Sequence, residues 1–302
     1  MSAKYASVSE LYNPALIHSV SGLAMTGRNI VDTYLSGVNR SVRTGMGMEF
    51  SQYRPYSPGD DLRMLDWKLV ARREKYYVRQ SEIDSGTTVK FILDCSASML
   101  QASEGLTKLD YAKVVIATLA YLATQQGDAP GLFALNDQSY VALQPERRRQ
   151  QYMQLINHLV SVDGNGKWPE SRSRINEIIP RKEKALIIFV SDMYENNNEL
   201  INSILKSNTS TSDVICFHIT SKEDWEPDYN GYVTLEDIET GERVKVNAQA
   251  QAADYTHAWE EYRNSLRHRL LENHVQYECL KMHEPLSHGL KLFLKKRNGL
   301  LR

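Results

Sequence analysis

The sequence predicts an α/β fold built around a mostly parallel sheet with helices on both faces. From residue 87 onward, apolar strand-like runs alternate with segments of helical periodicity, which is typical of this fold class. The strand-like runs at 88–94 and 185–190 are almost continuously apolar, as expected for strands covered on both faces. With 302 residues and 42% hydrophobic content, the chain is long enough to bury one large core.

Residues 87–302 form the predicted main domain. Its helices follow from apolar residues at three- and four-residue spacing, such as Tyr111, Val115 and Leu119. The predicted strands are residues 88–94, 131–135, 139–143, 185–190, 214–220 and 275–281. The predicted helices are residues 108–126, 148–160, 171–179, 198–206, 248–272 and 286–296. Residues 232–235 and 242–246 flank a Glu-Thr-Gly turn and predict an edge hairpin.

Residues 1–86 break this alternation and predict a smaller N-terminal module appended to the main domain. Residues 14–34 indicate one or two helices, and residues 45–53 and 75–82 alternate polar and apolar positions like strands. The segment between these strands is dense in turn residues and paired charges. The predicted domain ranges are therefore 1–86 and 87–302.

Two predicted strands end in oxygen-bearing side chains. Asp94, Ser96 and Ser98 follow the first strand, and Asp192 follows the strand at 185–190. In parallel sheets, ligands bind outside the carboxyl ends of the strands. Hard oxygen ligands suit a Mg²⁺-like cation, and so few carboxylates leave an open position for an external carboxylate. The pattern predicts a metal site, whereas a plain Ser-rich turn is the structural alternative.

Bulk properties exclude several classes of protein. The 36 basic and 37 acidic residues nearly cancel, so no global field favours nucleic acid. The three cysteines lack metal-binding spacing and predict buried thiols in a reducing compartment. No apolar run is long enough for a membrane span, and the N-terminus lacks signal-peptide features, so a cytoplasmic protein is expected. Residues 266–302 carry a net charge of +5 and predict either a solvated helix face or a docking surface, with Lys291, Lys295, Lys296 and Arg297 as its cations.

These motifs resemble known families. Asp94-x-Ser96-x-Ser98 followed by Ser191-Asp192 resembles the von Willebrand factor A domain and its metal-ion-dependent adhesion site (MIDAS). Spaced motifs before residue 80 resemble the bacterial family catalogued as domain of unknown function 58, and the likeness extends over about residues 40–300. The motifs are Gly45-x-Gly47-x-Glu49-Phe50, Arg54-x-Tyr56-x-x-Gly59-Asp60-Asp61-x-Arg63, Asp66-Trp67, Ala71-Arg72 and Tyr77-Val78.

The resemblance implies a von Willebrand factor A-like fold and a divalent cation, with Mg²⁺ expected and Mn²⁺ or Ca²⁺ as alternatives. It carries over Asp94, Ser96, Ser98 and Asp192 as metal ligands. It also implies a non-enzymatic adaptor for a MoxR-type AAA+ ATPase, or for a client protein that offers an acidic residue.

The chain departs from the adhesion-site pattern in one loop. That pattern has a threonine between the other two ligand regions, and residues 163–173 contain none. Ser171 or Ser173 offers a hydroxyl instead, and Asp163 or Glu170 a carboxylate. The departure predicts a weaker site or an altered metal preference.

A second constellation lies in the N-terminal module. It is expected either to fix the module by Asp–Arg pairs and a Trp anchor, or to form a contact surface for the ATPase. Its members are Asp60, Asp61, Arg63, Asp66, Trp67 and Arg72.

Two other functions stay open. One is a metal-dependent phosphoester hydrolase with Asp94 as nucleophile or metal ligand, although no general acid or base stands near the motif. The other is a metal-free scaffold, which the missing threonine favours. Nucleotide-binding glycine loops and the nucleophile-elbow motif are absent from the sequence.

Overall fold

The computed structural model describes residues 14–38, 50–57, 76–81, 86–170, 177–178, 184–194, 197–225, 227 and 231–300. The strands are β1 (Phe50–Pro55), β2 (Tyr77–Ser81), β3 (Thr88–Asp94), β4 (Ala102–Ser103), β5 (Leu106–Thr107), β6 (Ala129–Leu135), β7 (Tyr140–Leu143), β8 (Ala185–Ser191), β9 (Ser212–Thr220), β10 (Tyr232–Glu236), β11 (Arg243–Asn247) and β12 (Gln276–Lys281). The helices are α1 (Pro14–Ile17), α2 (Val20–Val38), α3 (Lys108–Gln125), α4 (Gln151–Ser161), α5 (Glu199–Ser207), α6 (Lys222–Trp225), α7 (Ala248–Glu272) and α8 (Ser287–Leu300). Most of the helix predicted over 171–179 lies outside the described residues.

The main sheet has the strand order β12-β9-β8-β3-β6-β7. All neighbouring pairs are parallel except β6 and β7, which are antiparallel. The chain first leads from β3 to β6 on one side, and later resumes at β8 on the other side of β3. Such a switch opens a crevice outside the carboxyl ends of the strands. The predicted α/β class with a mostly parallel sheet is confirmed.

The two faces of the sheet carry separate cores because side chains alternate along each strand. On one face, Phe91 and Ile188 pack with residues of α2, α3, α4 and α8. On the other, Ile92 and Phe189 pack with residues of α5 and α7. Complete burial of one such side chain contributes roughly 1.5–3 kcal/mol. Both cores together hold β3 and β8 rigidly at the centre of the sheet.

The N-terminal helices lie on the same core as the main domain. Ile17, Leu23 and Val31 are buried within it. At Gly27, an added Cβ would lie 3.0 Å from the carbonyl carbon of Ala117 in α3, so glycine permits this close approach of the two backbones. The domain boundary at residue 86 stays a prediction.

The hairpin predicted at 232–246 exists, but its placement at the sheet edge is wrong. Strands β10 and β11 pair antiparallel in a separate two-stranded sheet, and the edges of the main sheet are β12 and β7. Tyr232 is 82% exposed, so the hairpin lacks the buried face that a strand of the main sheet requires. It is instead anchored near the carboxyl ends of the sheet.

The prediction that Arg297 belongs to an exposed basic surface of the C-terminal segment is wrong. Arg297 is 4% exposed, and its guanidinium donates to Asp128 Oδ2 and to the carbonyl of Gln126. Lys291 and Lys295 are exposed. Arg297 therefore connects α8 to the turn after α3 through buried hydrogen bonds. Among the described helices, none combines the length and apolarity needed to cross a membrane.

Candidate metal centre

The candidate site lies where β3 and β8 end side by side. The register pairs Leu93 with Val190, so Asp94 comes level with Ser191, the last residue of β8. The chain after β3 turns at once into a 3₁₀ turn at Ala97–Leu100. This geometry brings the DxSxS segment and Ser191-Asp192 to the switch point of the sheet.

The four predicted metal ligands form one connected network. Asp94 Oδ1 accepts the backbone N–H of Ser96 at 2.9 Å, and Oδ2 accepts the Ser191 hydroxyl at 2.6 Å. The hydroxyl oxygens of Ser96 and Ser98 are 3.0 Å apart. Ser98 donates to Asp192 Oδ1 at 3.2 Å. Two carboxylates and two hydroxyls are thus gathered within hydrogen-bonding reach of one another, and their role as ligands stays a prediction.

Asp192 also contacts a buried lysine that the sequence did not single out. Lys108 is 4% exposed, and its Nζ lies 3.5 Å from Asp192 Oδ2 and 3.0 Å from Asp224 Oδ2. Asp224 also accepts the backbone N–H of Ser221 at 2.7 Å. Lys108 therefore offsets part of the negative charge at one side of the site.

Burial dominates the electrostatics of the two carboxylates. Burial, followed by the charge of Asp192, raises the pKa of Asp94 to about 7, against the lowering effect of hydrogen bonds from Ser191 and Ser96. Burial also raises the pKa of Asp192, against the lowering effect of Lys108. A divalent cation favours the ionised form of both groups. The donor set is all oxygen and fits a hard cation.

Asp94 makes one predictable contribution to the pH dependence of stability. Because its pKa is about 7 in the folded chain against an ordinary 3.8, the folded state binds more protons between these values. In chelator, the tighter proton binding by Asp94 in the folded state adds to the free energy of unfolding. This added stability is fully present below pH 3.8 and is lost as the pH rises through 7. A pKa difference of one between the folded and unfolded chains corresponds to about 1.4 kcal/mol. We expect urea denaturation to show this loss, and Asp94→Asn to remove it.

A buried histidine complicates that measurement. Burial lowers the pKa of His218 to about 3, so it adds stability above pH 6.5 that is lost as the pH falls. The difference between the wild-type chain and Asp94→Asn cancels this contribution. An identical pH profile for the two chains between pH 5 and 8 would contradict the assignment to Asp94.

The threonine-free loop lies against the DxSxS segment. Ala97 N–H donates to the Gly166 carbonyl at 2.8 Å, and Asn165 N–H donates to the Cys95 carbonyl at 2.9 Å. Asp163 is exposed, and its charge acts on Lys113. In the described part of the chain, no hydrogen bond or ion pair joins Asp163 to the four predicted ligands. Its role as an alternative ligand stays a prediction.

Other predicted site residues fall outside the described ranges. They are Ser171 and Ser173 in the threonine-free loop, and Asp60, Asp61, Arg63, Asp66, Trp67 and Arg72 in the N-terminal module. Glu170, the other carboxylate considered in this loop, is paired with Lys167 at 2.7 Å on the surface.

The hairpin β10–β11 brings a further carboxylate to the site. In its turn, Asp237 Oδ1 accepts the backbone N–H groups of Glu239 and Thr240 at 2.8 and 3.0 Å. Tyr194, two residues after Asp192, donates its hydroxyl to Asp237 Oδ2 at 2.7 Å. The turn is therefore tied to the segment that carries Asp192.

Glu239 is half-buried in this turn. Burial raises its pKa to about 7, the Ser98 hydroxyl opposes the rise, and the charges of Asp94 and Asp192 contribute to it. Its Oε1 is buried without a hydrogen-bond partner. Glu239 thus lies beside the predicted ligands, although it is distant in sequence and carries no motif.

The described ranges contain no group of three His, Cys, Asp or Glu side chains arranged to bind a metal ion by themselves. The candidate site therefore depends on its hydroxyl groups as well as its carboxylates. Hydroxyls bind divalent cations more weakly than carboxylates do, so a modest affinity is expected.

Comparison with known proteins identifies the family. The family model described as "Protein of unknown function DUF58" matches residues 52–265. The chain belongs to this family. The match spans the described part of the site, from Asp94 to Glu239, and it confirms the resemblance drawn from the sequence motifs.

Individual relatives are distant. An uncharacterized protein of Mycobacterium tuberculosis is 22% identical over 241 residues, which cover 77% of this chain and 74% of the relative. The conserved hypothetical protein BatB from Bacteroides thetaiotaomicron matches with 13% identity and a TM-score of 0.48, covering 71% of this chain and all of that chain. The SpRpn10 VWA domain matches with 12% identity and a TM-score of 0.34, covering 68% and 93%.

Proposed function

We propose that this DUF58 protein is a non-enzymatic, metal-ion-dependent protein-interaction module. Asp94, Ser96, Ser98 and Asp192 would hold a divalent cation, with Mg²⁺ expected. The cation's open coordination position would capture a carboxylate of a partner protein. The observation that carries the proposal is the hydrogen-bond network at the switch point of the sheet, which joins Asp94 to the backbone N–H of Ser96 and the side chains of Ser96, Ser98 and Asp192 to one another.

The expected partner is a MoxR-type AAA+ ATPase, or a client protein with an exposed acidic residue. Family resemblance supports the ATPase, and site chemistry supports the acidic residue. A hard cation with incomplete protein ligation attracts a carboxylate oxygen more strongly than a neutral group. Whether the partner is the ATPase or a client protein, its binding is expected to require a divalent cation.

The test is capture of the organism's own MoxR-type ATPase by the immobilised chain in Mg²⁺ and in chelator. We expect capture in Mg²⁺, loss of capture in chelator, and loss in both for Asp94→Ala. Asp94→Asn is a size-matched second variant, and Asp254→Ala is the control because Asp254 is exposed on α7. Titration with Mn²⁺ should show binding to the wild type and to Asp254→Ala only. Equal capture in Mg²⁺ and in chelator would contradict the metal-mediated mechanism.

A metal-free scaffold is the second candidate, and Lys108 favours it. Its ammonium group already supplies a positive charge 3.5 Å from Asp192. If that charge suffices, Mn²⁺ titration will give no binding and capture will be unaffected by chelator. The contacts of Asp94 disfavour it as the nucleophile of a phosphoester hydrolase, because the residue is 1% exposed and both of its carboxylate oxygens accept hydrogen bonds.

A further inference from the structure

The turn of the β10–β11 hairpin presents a carboxylate to the candidate cation site. The turn conformation is held internally by Asp237, which accepts the backbone N–H groups of Glu239 and Thr240. The Tyr194–Asp237 hydrogen bond fixes the turn next to Asp192. The backbone of Glu239 is therefore held in place by the hydrogen bonds of Asp237, and not by contacts of the Glu239 side chain.

One oxygen of the Glu239 carboxylate lacks a partner. This oxygen, Oε1, is buried without a hydrogen-bond donor, and a buried acceptor left unpaired is destabilising. The electrostatic neighbours of the carboxylate are the Ser98 hydroxyl and the carboxylates of Asp94 and Asp192. None of these three neighbours carries a positive charge, and the ammonium group of Lys167, on which the charge of Glu239 also acts, is paired with Glu170.

Like charges at this site repel, and in the described part of the chain these three carboxylates do not form a compact cluster. A divalent cation bound by Asp94 would reverse the sign of the interaction and attract Glu239. The sequence has no threonine in the loop where the adhesion-site pattern supplies one. Glu239 is a carboxylate of the kind that the proposed function requires from a partner.

We propose that Glu239 is an internal ligand of the site cation, which fills from within the coordination position that a partner's acidic residue would take. The inference rests on the proposed cation site. It makes the hairpin part of that site: cation binding pulls the turn down onto the strand ends, and an incoming carboxylate competes with Glu239 for the cation.

The experiment uses the full chain and Mn²⁺ alone as the probe. We expect Glu239→Gln to weaken Mn²⁺ affinity by at least about tenfold, since a charged ligand is lost. The control is Glu242→Gln, which makes the same change of charge on an exposed residue of the same hairpin. Hydrogen exchange of residues 232–247 supplies a second readout. Mn²⁺ should slow exchange in the wild type and in Glu242→Gln, but not in Glu239→Gln.

The outcomes separate the two proposals. If the wild type binds Mn²⁺, Asp94→Asn does not, and Glu239→Gln binds as tightly as Glu242→Gln, the internal ligand is overturned and the cation site stands. If hairpin exchange does not respond to Mn²⁺ in the wild type, the internal ligand is likewise overturned. If the wild type itself binds no Mn²⁺, the proposed function and this inference both fall.

Discussion

Replacing Arg297 with alanine is expected to destabilise the chain by about 3–5 kcal/mol, the range for breaking a buried ion pair. Arg297 donates to Asp128 Oδ2 and to the carbonyl of Gln126, while Asp128 Oδ1 accepts the backbone N–H of Thr87 at 2.8 Å. The pair links α8, the turn after α3 and the start of β3. Without Arg297, the Asp128 carboxylate would stay buried and lose the guanidinium charge that contacts it. Urea denaturation in chelator measures the loss.

The control for Arg297→Ala is Lys295→Ala, which removes a positive charge from an exposed position on the same helix. That change is expected to stay within about 0.5 kcal/mol of the wild type. A double variant, Arg297→Ala with Asp128→Ala, should be less destabilised than the sum of the single changes. Equal stability of Arg297→Ala and Lys295→Ala would show that the ion pair contributes nothing.

Replacing Lys108 with methionine is expected to cost a similar amount, about 3–5 kcal/mol in chelator. The change keeps most of the apolar stem and removes the charge that lies between Asp192 and Asp224. The buried carboxylates of Asp192 and Asp224 would then lose the ammonium group that contacts both of them. Because Mg²⁺ at the proposed site would stabilise Asp192, we expect Mg²⁺ to restore more stability to Lys108→Met than to the wild type.

Lys206→Met is the matched control, since Lys206 is exposed on α5. It should unfold with the wild type in both buffers. If Lys108→Met unfolds at the wild-type urea concentration in chelator, Lys108 does not compensate the two carboxylates. If Mg²⁺ stabilises the variant and the wild type equally, the cation does not interact with Asp192.

Most of the fold could be predicted because its signals are local. The largely apolar runs within Thr88–Asp94 and Ala185–Ser191 indicate strands buried on both faces, and helix Ala248–Glu272 appears with the predicted bounds. The hairpin was recognisable from its turn residues, but its place was not. Strand pairing within a hairpin depends on neighbouring residues, whereas its position on the molecule depends on contacts such as that between Tyr194 and Asp237.

Some residues of the candidate site could likewise be predicted from the sequence, and others could not. Asp94 and Asp192 could be expected to meet, because the carboxyl ends of parallel strands lie at one edge of the sheet. Lys108 begins a helix and gives no sign of facing two carboxylates. Glu239 occupies a polar hairpin turn, where glutamate is ordinary. Only the positions of these elements across the crevice bring both side chains to the site.

Periodicity and short spacings in the chain were enough to predict the alternation of strands and helices and the oxygen-rich ends of β3 and β8, while the family came from the resemblance of spaced motifs to known proteins. These features depend on neighbouring residues and can be recognised without knowledge of the packing. The arrangement of charges around Asp94-Cys95-Ser96-Ala97-Ser98 could be known only from the folded molecule. Burial, the placement of Lys108 and the approach of Glu239 all depend on residues far apart in the chain, and burial and Lys108 act on the pKa of Asp192.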